Sequence, residues 1–192
     1  MNARPSLVAA VLAALSGTVT ADDSTLTASQ VGHDNRTQLV QAGAALSTLA
    51  VDQLGNYNVA GTDNAAIYQS ATGASLSIEQ VGDANLANAD QQGYGTRATI
   101  DQSSRPGSGL EDGRRSASLT QSGDFVYGSI SQVGVSGHSP ASLSQTDNGN
   151  AITLSQSGSA AGNTAYVTQT GNALVSTVMQ TGSGNLSTIT QR

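Results

Sequence analysis

Apolar and polar residues alternate along this chain in short runs, and each run ends on a glutamine. Two residues before the glutamine stand Leu39, Val51, Ile67, Ile78, Ile100, Leu119, Ile130, Leu143, Leu154, Val167, Val178 and Ile189, with Ala28 and Ala89 completing the series. Four residues before it the side chain is usually small or apolar, as at Ala65, Leu76, Ala98, Ala117, Ala141, Ile152 and Ala165. Polar residues lie between, for example Ser118 and Thr120 around Leu119, or Thr188 and Thr190 around Ile189. Successive side chains of a strand point to opposite sides, so this period of two predicts short β-strands with one buried face. The twelve branched aliphatics are the expected core. The glutamine shares their parity and is expected to point inward with them.

The glutamines are Gln30, Gln41, Gln53, Gln69, Gln80, Gln91, Gln102, Gln121, Gln132, Gln145, Gln156, Gln169, Gln180 and Gln191, at steps of 11, 12, 16, 11, 11, 11, 19, 11, 13, 11, 13, 11 and 11 residues. A repeated interval of this kind marks stacked units rather than one irregular core. Turn residues follow: Gly32, Gly55, Gly82, Gly93, Gly123, Gly134, Gly158, Gly171 and Gly182 at the second position, and Asn35, Asn58, Asn85, Asn150 and Asn185 at the fifth. Both residue types tolerate positive φ, and an asparagine side chain can bond its own turn. Every even-numbered step is 11 or 12 residues, whereas all four long steps are odd-numbered. Two strands per coil, with added residues at one edge only, explain that distribution.

The expected fold is all-β: a two-sheet parallel β-solenoid of cross-β type with about seven 22-residue strand-turn-strand repeats, about 34 Å tall at about 4.8 Å per rung. Residues 26–192 form the repeat domain, after a short segment at 22–25. Insertions fall near 56–64 and 103–116. The second contains Arg105-Pro106-Gly107 and Glu111-Asp112-Gly113-Arg114-Arg115 and reads as a charged surface loop.

Composition changes the picture in two ways. Only 37% of the 192 residues are hydrophobic and 10% charged, with no Cys, no Lys, no Trp and 22 Gly. Such a chain cannot rely on a large apolar core or on disulfides, so stability must come from stacking. Residues 1–21 read as a secretory signal: Arg4, an apolar stretch from Leu7 to Leu15, and a small-residue cleavage site at Val19-Thr20-Ala21. That stretch is too short to cross a membrane, and no later segment approaches one. Removing it leaves six Arg against 13 acids, which disfavours nucleic acid as a partner.

An unpaired amide indoors is costly. In a stack each glutamine amide can donate to its copy one rung away, the amide ladder found in cross-β assemblies. The last strand, Ser187 to Gln191, and the first unit, Leu26 to Gln30, are repeat-like and carry no polar cap. Open, complementary edges of this kind are expected to join copies of the chain into a homopolymeric filament.

The pattern Gln-x-Gly-x-x-Asn-x-Ala-x-x-x-Gln, fullest from Gln80 to Gln91 and partial from Gln30, Gln53, Gln145 and Gln180, resembles the curlin repeat of the bacterial curli subunits. The resemblance spans about residues 26–192. It implies a secreted structural subunit of a functional amyloid fibre, extracellular and at the cell surface, serving biofilm matrix and adhesion. It further implies a nucleator or major curlin subunit as partner, an outer-membrane secretion pore and its accessory chaperones, and a polymerising role for the matching Gln and Asn residues. Gln102 lacks its glycine, Gln145 is followed by Thr146-Asp147, and the segment at 22–25 is shorter than the family's secretion-targeting segment. The ending Ile189-Thr190-Gln191-Arg192 resembles nucleator-type curlins slightly, while the absence of lysine fits the fibre-forming subunit better.

Other chemistry finds little footing. His33 and His138 lie far apart at turn and insertion positions, and no cofactor or metal site is expected from them. Asp34, Asp83, Asp124 and Asp147 are turn formers, and no nucleophile elbow, phosphate loop or catalytic carboxylate pair occurs, so an enzyme is not expected. A soluble β-solenoid adhesin or ice-binding protein is the alternative, from outward Ser and Thr such as Ser129, Ser131, Thr153 and Ser155. That row is interrupted by Glu79, Asp101, Tyr166 and Met179.

Overall fold

The computed structural model describes residues 23–43, 45–61, 66–104, 115–134, 138–158 and 162–192. The secretory segment expected at 1–21 lies outside them, as does most of the expected 103–116 insertion. The described chain is all β. Its strands are β1 (Thr25–Val31), β2 (Arg36–Thr37), β3 (Leu39–Gln41), β4 (Thr48–Leu54), β5 (Val59–Ala60), β6 (Ile67–Thr72), β7 (Ser75–Val81), β8 (Leu86–Tyr94), β9 (Arg97–Ser104), β10 (Arg115–Ser122), β11 (Tyr127–Gly134), β12 (Ser139–Thr146), β13 (Ala151–Gly158), β14 (Thr164–Thr170), β15 (Val175–Thr181) and β16 (Leu186–Gln191).

These strands alternate between two parallel sheets. One sheet has the order β1-β4-β7-β9-β11-β13-β15. The other runs β16-β14-β12-β10-β8, and then divides into β5-β2 and β6-β3. Each coil of chain therefore places one strand in each sheet, giving seven rungs of a β-solenoid. The register superposes equivalent residues: Ile78 on Ile100 on Ile130 on Leu154 on Val178 in one sheet, Leu119 on Leu143 on Val167 on Ile189 in the other.

Burial follows the alternation seen in the sequence. The pattern in β4, β14 and β15 is a strict exposed-or-partial, buried, exposed-or-partial sequence. Branched aliphatics from the two sheets meet in one continuous core that holds Val51, Ile67, Ile78, Ile100, Leu119, Ile130, Leu143, Leu154, Val167 and Val178. Leu49, absent from the expected core, belongs to it as well. Leu39 and Ile189, on the outermost rungs, are only partly buried because a neighbour covers them on one side alone.

The unequal glutamine steps carry over into the rungs: glutamine to glutamine, the first sheet steps by 23, 27, 22, 30, 24 and 24. One expectation needs correction, because not all insertions sit at a turn. Val59 and Ala60 pair with Leu86 and Ala87, and Tyr68 pairs with Asp90, so the extra residues of the second rung enter between Ala60 and Ile67, inside a strand. Ala60, fully buried, fills the inward place expected for Ala65, which lies outside the described residues. The segment Asn56–Ala60, expected to be insertion, is ordinary corner and strand. Likewise Ser103 and Ser104 continue β9, while Arg115 and Ser116 open β10. An in-register ladder tolerates added chain wherever it can leave sideways, and a strand's outer flank permits this as a corner does.

The corners explain the glycines. A Cβ on Gly55 would lie 2.0 Å from the carbonyl oxygen of Gly82 on the next rung, and one on Gly32 would lie 1.8 Å from that of Gly55. Gly55 also has φ of 125°, a region closed to other residues. Gly55→Ala is therefore expected to lower the unfolding free energy by about 1–3 kcal/mol or more. Gly43→Ala, with nothing within 4 Å and φ of 62°, should cost less. Denaturant titrations of the two variants, followed by β-sheet circular dichroism, compare them directly.

Candidate functional site

All fourteen glutamines point inward and stack in two columns, one per sheet. In the first, the side-chain Nε2 of each residue donates to the Oε1 of the next: Gln30 to Gln53 at 2.6 Å, then Gln80 at 2.7 Å, Gln102 at 2.9 Å, Gln132 at 2.9 Å, Gln156 at 2.8 Å and Gln180 at 2.8 Å. In the second, Gln41 donates to Gln69 at 2.9 Å, followed by Gln91 at 2.8 Å, Gln121 at 3.2 Å, Gln145 at 3.0 Å, Gln169 at 3.3 Å and Gln191 at 2.6 Å. Both columns donate in the same direction, from the first rung towards the seventh.

The second amide hydrogen crosses the core. Gln80 donates to the Val59 carbonyl at 3.1 Å, Gln102 to that of Leu86 at 3.0 Å, and Gln180 to that of Thr164 at 2.9 Å. From the other column Gln121 reaches Arg97 at 3.2 Å and Gln145 reaches Tyr127 at 2.9 Å. One hydrogen thus ties rung to rung, and the other ties strands of opposite sheets at the corner where the chain crosses. An interior amide that makes both bonds and accepts one leaves no donor unmet, which is how so polar a residue resides in the core.

The asparagines divide between the two edges. Asn35, Asn58, Asn85 and Asn185 share the corner that leads from the first sheet to the second. There the Asn35 Oδ1 accepts from the Asn58 backbone N–H at 2.9 Å, and the Asn58 Oδ1 accepts from both the backbone and side-chain nitrogens of Asn85 at 3.1 and 2.9 Å. Asn150 stands instead at the opposite corner, where its Oδ1 accepts from the Leu174 backbone at 2.9 Å. Asn163, which counting from the glutamine missed, joins the first column: its Oδ1 accepts from both nitrogens of Asn185 at 3.1 Å. Its offset is seven residues rather than five because it lies within a 13-residue step, from Gln156 to Gln169, whose two added residues come before it.

Arg115 breaks that column. The register puts it directly after Asn85 and before Ser139, at an asparagine's place. It is 3% exposed, its Nη2 donates to the Gly134 carbonyl, and its Nη1 has no partner; nor does the Oδ1 of Asn85 beneath it. Burial pulls the guanidinium pKa below its ordinary value.

At the two ends the columns differ in kind. The Nε2 of Gln180 and of Gln191 keep their bonds to the Thr164 and Val175 carbonyls, and among the described residues no further amide receives their remaining hydrogen. At the other end, no amide among the described residues donates to the Oε1 of Gln30 or Gln41. The β15–β16 end presents donors, and the β1–β3 end presents acceptors.

Arg115→Asn should restore the corner column while removing a buried cation that has no carboxylate partner among the described residues, and raise unfolding stability by about 1–3 kcal/mol. Equilibrium denaturation of the two proteins side by side measures the change.

A family model described as the curlin associated repeat matches residues 160–192, which contain the whole of the seventh rung and β14 of the sixth. No curated protein and no solved structure matches the chain. The glutamine and corner geometry of that matched segment, which is similar to the curlin associated repeat, recurs in the rungs before it.

Proposed function

We propose that this chain is a structural subunit of an extracellular curli-type amyloid fibre, which grows as the donor end of one molecule stacks on the acceptor end of the next. The observation that carries the reading is the opposite chemistry of the two end rungs. N–H groups of Gln180 and Gln191 that no amide among the described residues receives match carbonyl oxygens of Gln30 and Gln41 to which none among them donates, each at the same place in the rung. The strand edges around them have no partner among the described residues, and an open edge of this kind invites another chain. Such a contact is heterologous and does not close on itself, so it generates a filament.

Superposing rung seven on rung one of a second copy gives the register this reading expects. β15 would meet β1 with Val175 opposite Thr25, Thr177 opposite Thr27 and Gln180 opposite Gln30. β16 would meet β2 and β3 with Ile189 opposite Leu39. The corner glycine Gly182, with φ of 98° and no backbone within 4 Å, would then face Gly32 as Gly158 faces Gly182. Partly buried Leu39 and Ile189 would gain the cover they lack.

Within this reading the chain is a fibre-forming rather than a nucleating subunit, and its role is mechanical rather than catalytic. A nucleator, an outer-membrane pore with accessory chaperones, and export directed by residues 1–21 complete the proposal. Adhesion and biofilm matrix are the purposes such a fibre serves.

The chain has no cysteine, so paired substitutions test the junction cleanly. Directly opposed residues on adjacent parallel strands are about 4.8 Å apart, within disulfide range. Fibres of the double variant Thr27→Cys with Thr177→Cys, oxidised and run without reductant, should give a ladder of covalent multimers. Fibres lacking cross-links would overturn the register, whereas the absence of fibres in electron micrographs would overturn the function. Replacing Gln80 and Gln180 together by Ala should lengthen the lag of thioflavin-detected assembly several-fold. Unchanged kinetics would remove the glutamine columns from the mechanism.

A further inference from the structure

One corner of the solenoid carries a feature that stacking does not use. Phe125, the only phenylalanine of the chain, is 66% exposed and holds φ of 56°, a conformation costly for a bulky side chain. Its ring meets Tyr94 edge-on, with centroids 5.4 Å apart and planes at 83°, so the two rings form the walls of a right-angled notch. Gly95 lies beneath: a Cβ there would come within 2.9 Å of the Phe125 ring. Tyr127, half exposed, and Arg97 border the same recess, whose volume is about 390 Å³ and whose floor includes Gly73.

We propose that this recess binds a pyranose unit of a neutral polysaccharide. A sugar ring shows apolar C–H faces and polar hydroxyl edges, and the recess offers both complements. Exposed faces of Phe125 and Tyr127 receive C–H groups, and the Arg97 guanidinium and tyrosine hydroxyls receive the hydroxyl edge. Charge selects a neutral ligand. Among the described residues that line the recess Arg97 is the only charged one, the adjoining Asp124 carboxylate is engaged by the Tyr94 N–H at 2.9 Å, and the chain's net charge of −6 repels polyanions. A peptide strand is a poor fit, because the local backbone is already committed: the N–H groups of Gly95, Phe125, Arg97 and Tyr127 donate to Thr72, Tyr94, Val126 and Asn150 carbonyls. The positive φ at Phe125 belongs to the corner itself, since it recurs at Asp34, Tyr57, Ala84 and Ala173, each four residues after its glutamine; what is particular to this rung is the ring that the position carries.

The recess belongs to one molecule and does not require assembly. Resting on the proposed fibre, a copy would recur about every 34 Å along the axis, so a long glycan could engage several at once.

Cellohexaose and maltohexaose, each offered to the assembled protein and followed by saturation-transfer NMR, are the probes. Signal is expected at the protons of one or both hexaoses, with weak single-site affinity. Phe125→Gly should relieve the backbone and leave the fold intact. Combined with Tyr127→Ala it should weaken binding by about ten-fold or more, the equivalent of a lost ring face. Tyr166→Ala, which removes a half-exposed ring elsewhere, should bind as the parent does. No transfer to either hexaose at about 10 mM, well above a millimolar site, would overturn the proposal. So would equal binding by the Phe125/Tyr127 variant, or a variant whose only change is in lateral bundling of fibres, which would make the recess a contact between copies.

Discussion

Every buried glutamine in this molecule needs a copy of itself directly above and below. A primary amide removed from water must satisfy two donors and an acceptor, and the apolar residues around it offer nothing. The neighbouring rung supplies one donor's partner and the acceptor's partner only if it is parallel and in register. A slip of one residue would turn the amides outward and expose the aliphatic row. Superposition is therefore enforced by polar groups, and the modest apolar content of the chain is enough because it does not set register alone.

The rest of the architecture follows from that stacking distance. Backbone carbonyls of adjacent corners come within 2.0 Å of where a Cβ would stand at Gly55, so the residue two places after the glutamine is glycine in most rungs. The asparagine columns repeat the glutamine solution at the edges, bonding backbone N–H groups that the turn would otherwise strand. Where the sequence departs, the structure records the cost locally. Arg115 occupies an asparagine's place and leaves two buried polar atoms without partners.

The regular part of this design was legible from residue order because it depends only on parity and count. Alternation identified the inward face, and the odd placement of long steps gave two strands per coil. What escaped was whatever required counting across an insertion. Asn163 and Leu49 carry the same roles as their equivalents but stood outside the expected lists, Asn163 because its offset from the glutamine had changed. The second-rung insertion looked like a corner loop, since nothing in residue order distinguishes extra chain at a turn from extra chain within a strand. Tyr94, Phe125 and Tyr127 come together only once the rungs are superposed, and Arg115 adjoins a charged run whose composition predicts a loop.

The common direction of the two glutamine columns has an electrical consequence. Backbone bonds between rungs run both ways: the Gly55 N–H donates back to Val31, whereas that of Thr25 donates forward to Ser47. Their dipoles largely cancel along the axis. The side-chain amides do not alternate, and each contributes a moment similar to the about 3.5 D of a peptide unit. The solenoid is thus a weak rod magnet's electrostatic counterpart, positive at the Gln180–Gln191 pole and negative at the Gln30–Gln41 pole. In the proposed fibre, opposite poles of two copies would attract at close range, where the local dipoles outweigh the repulsion between like net charges.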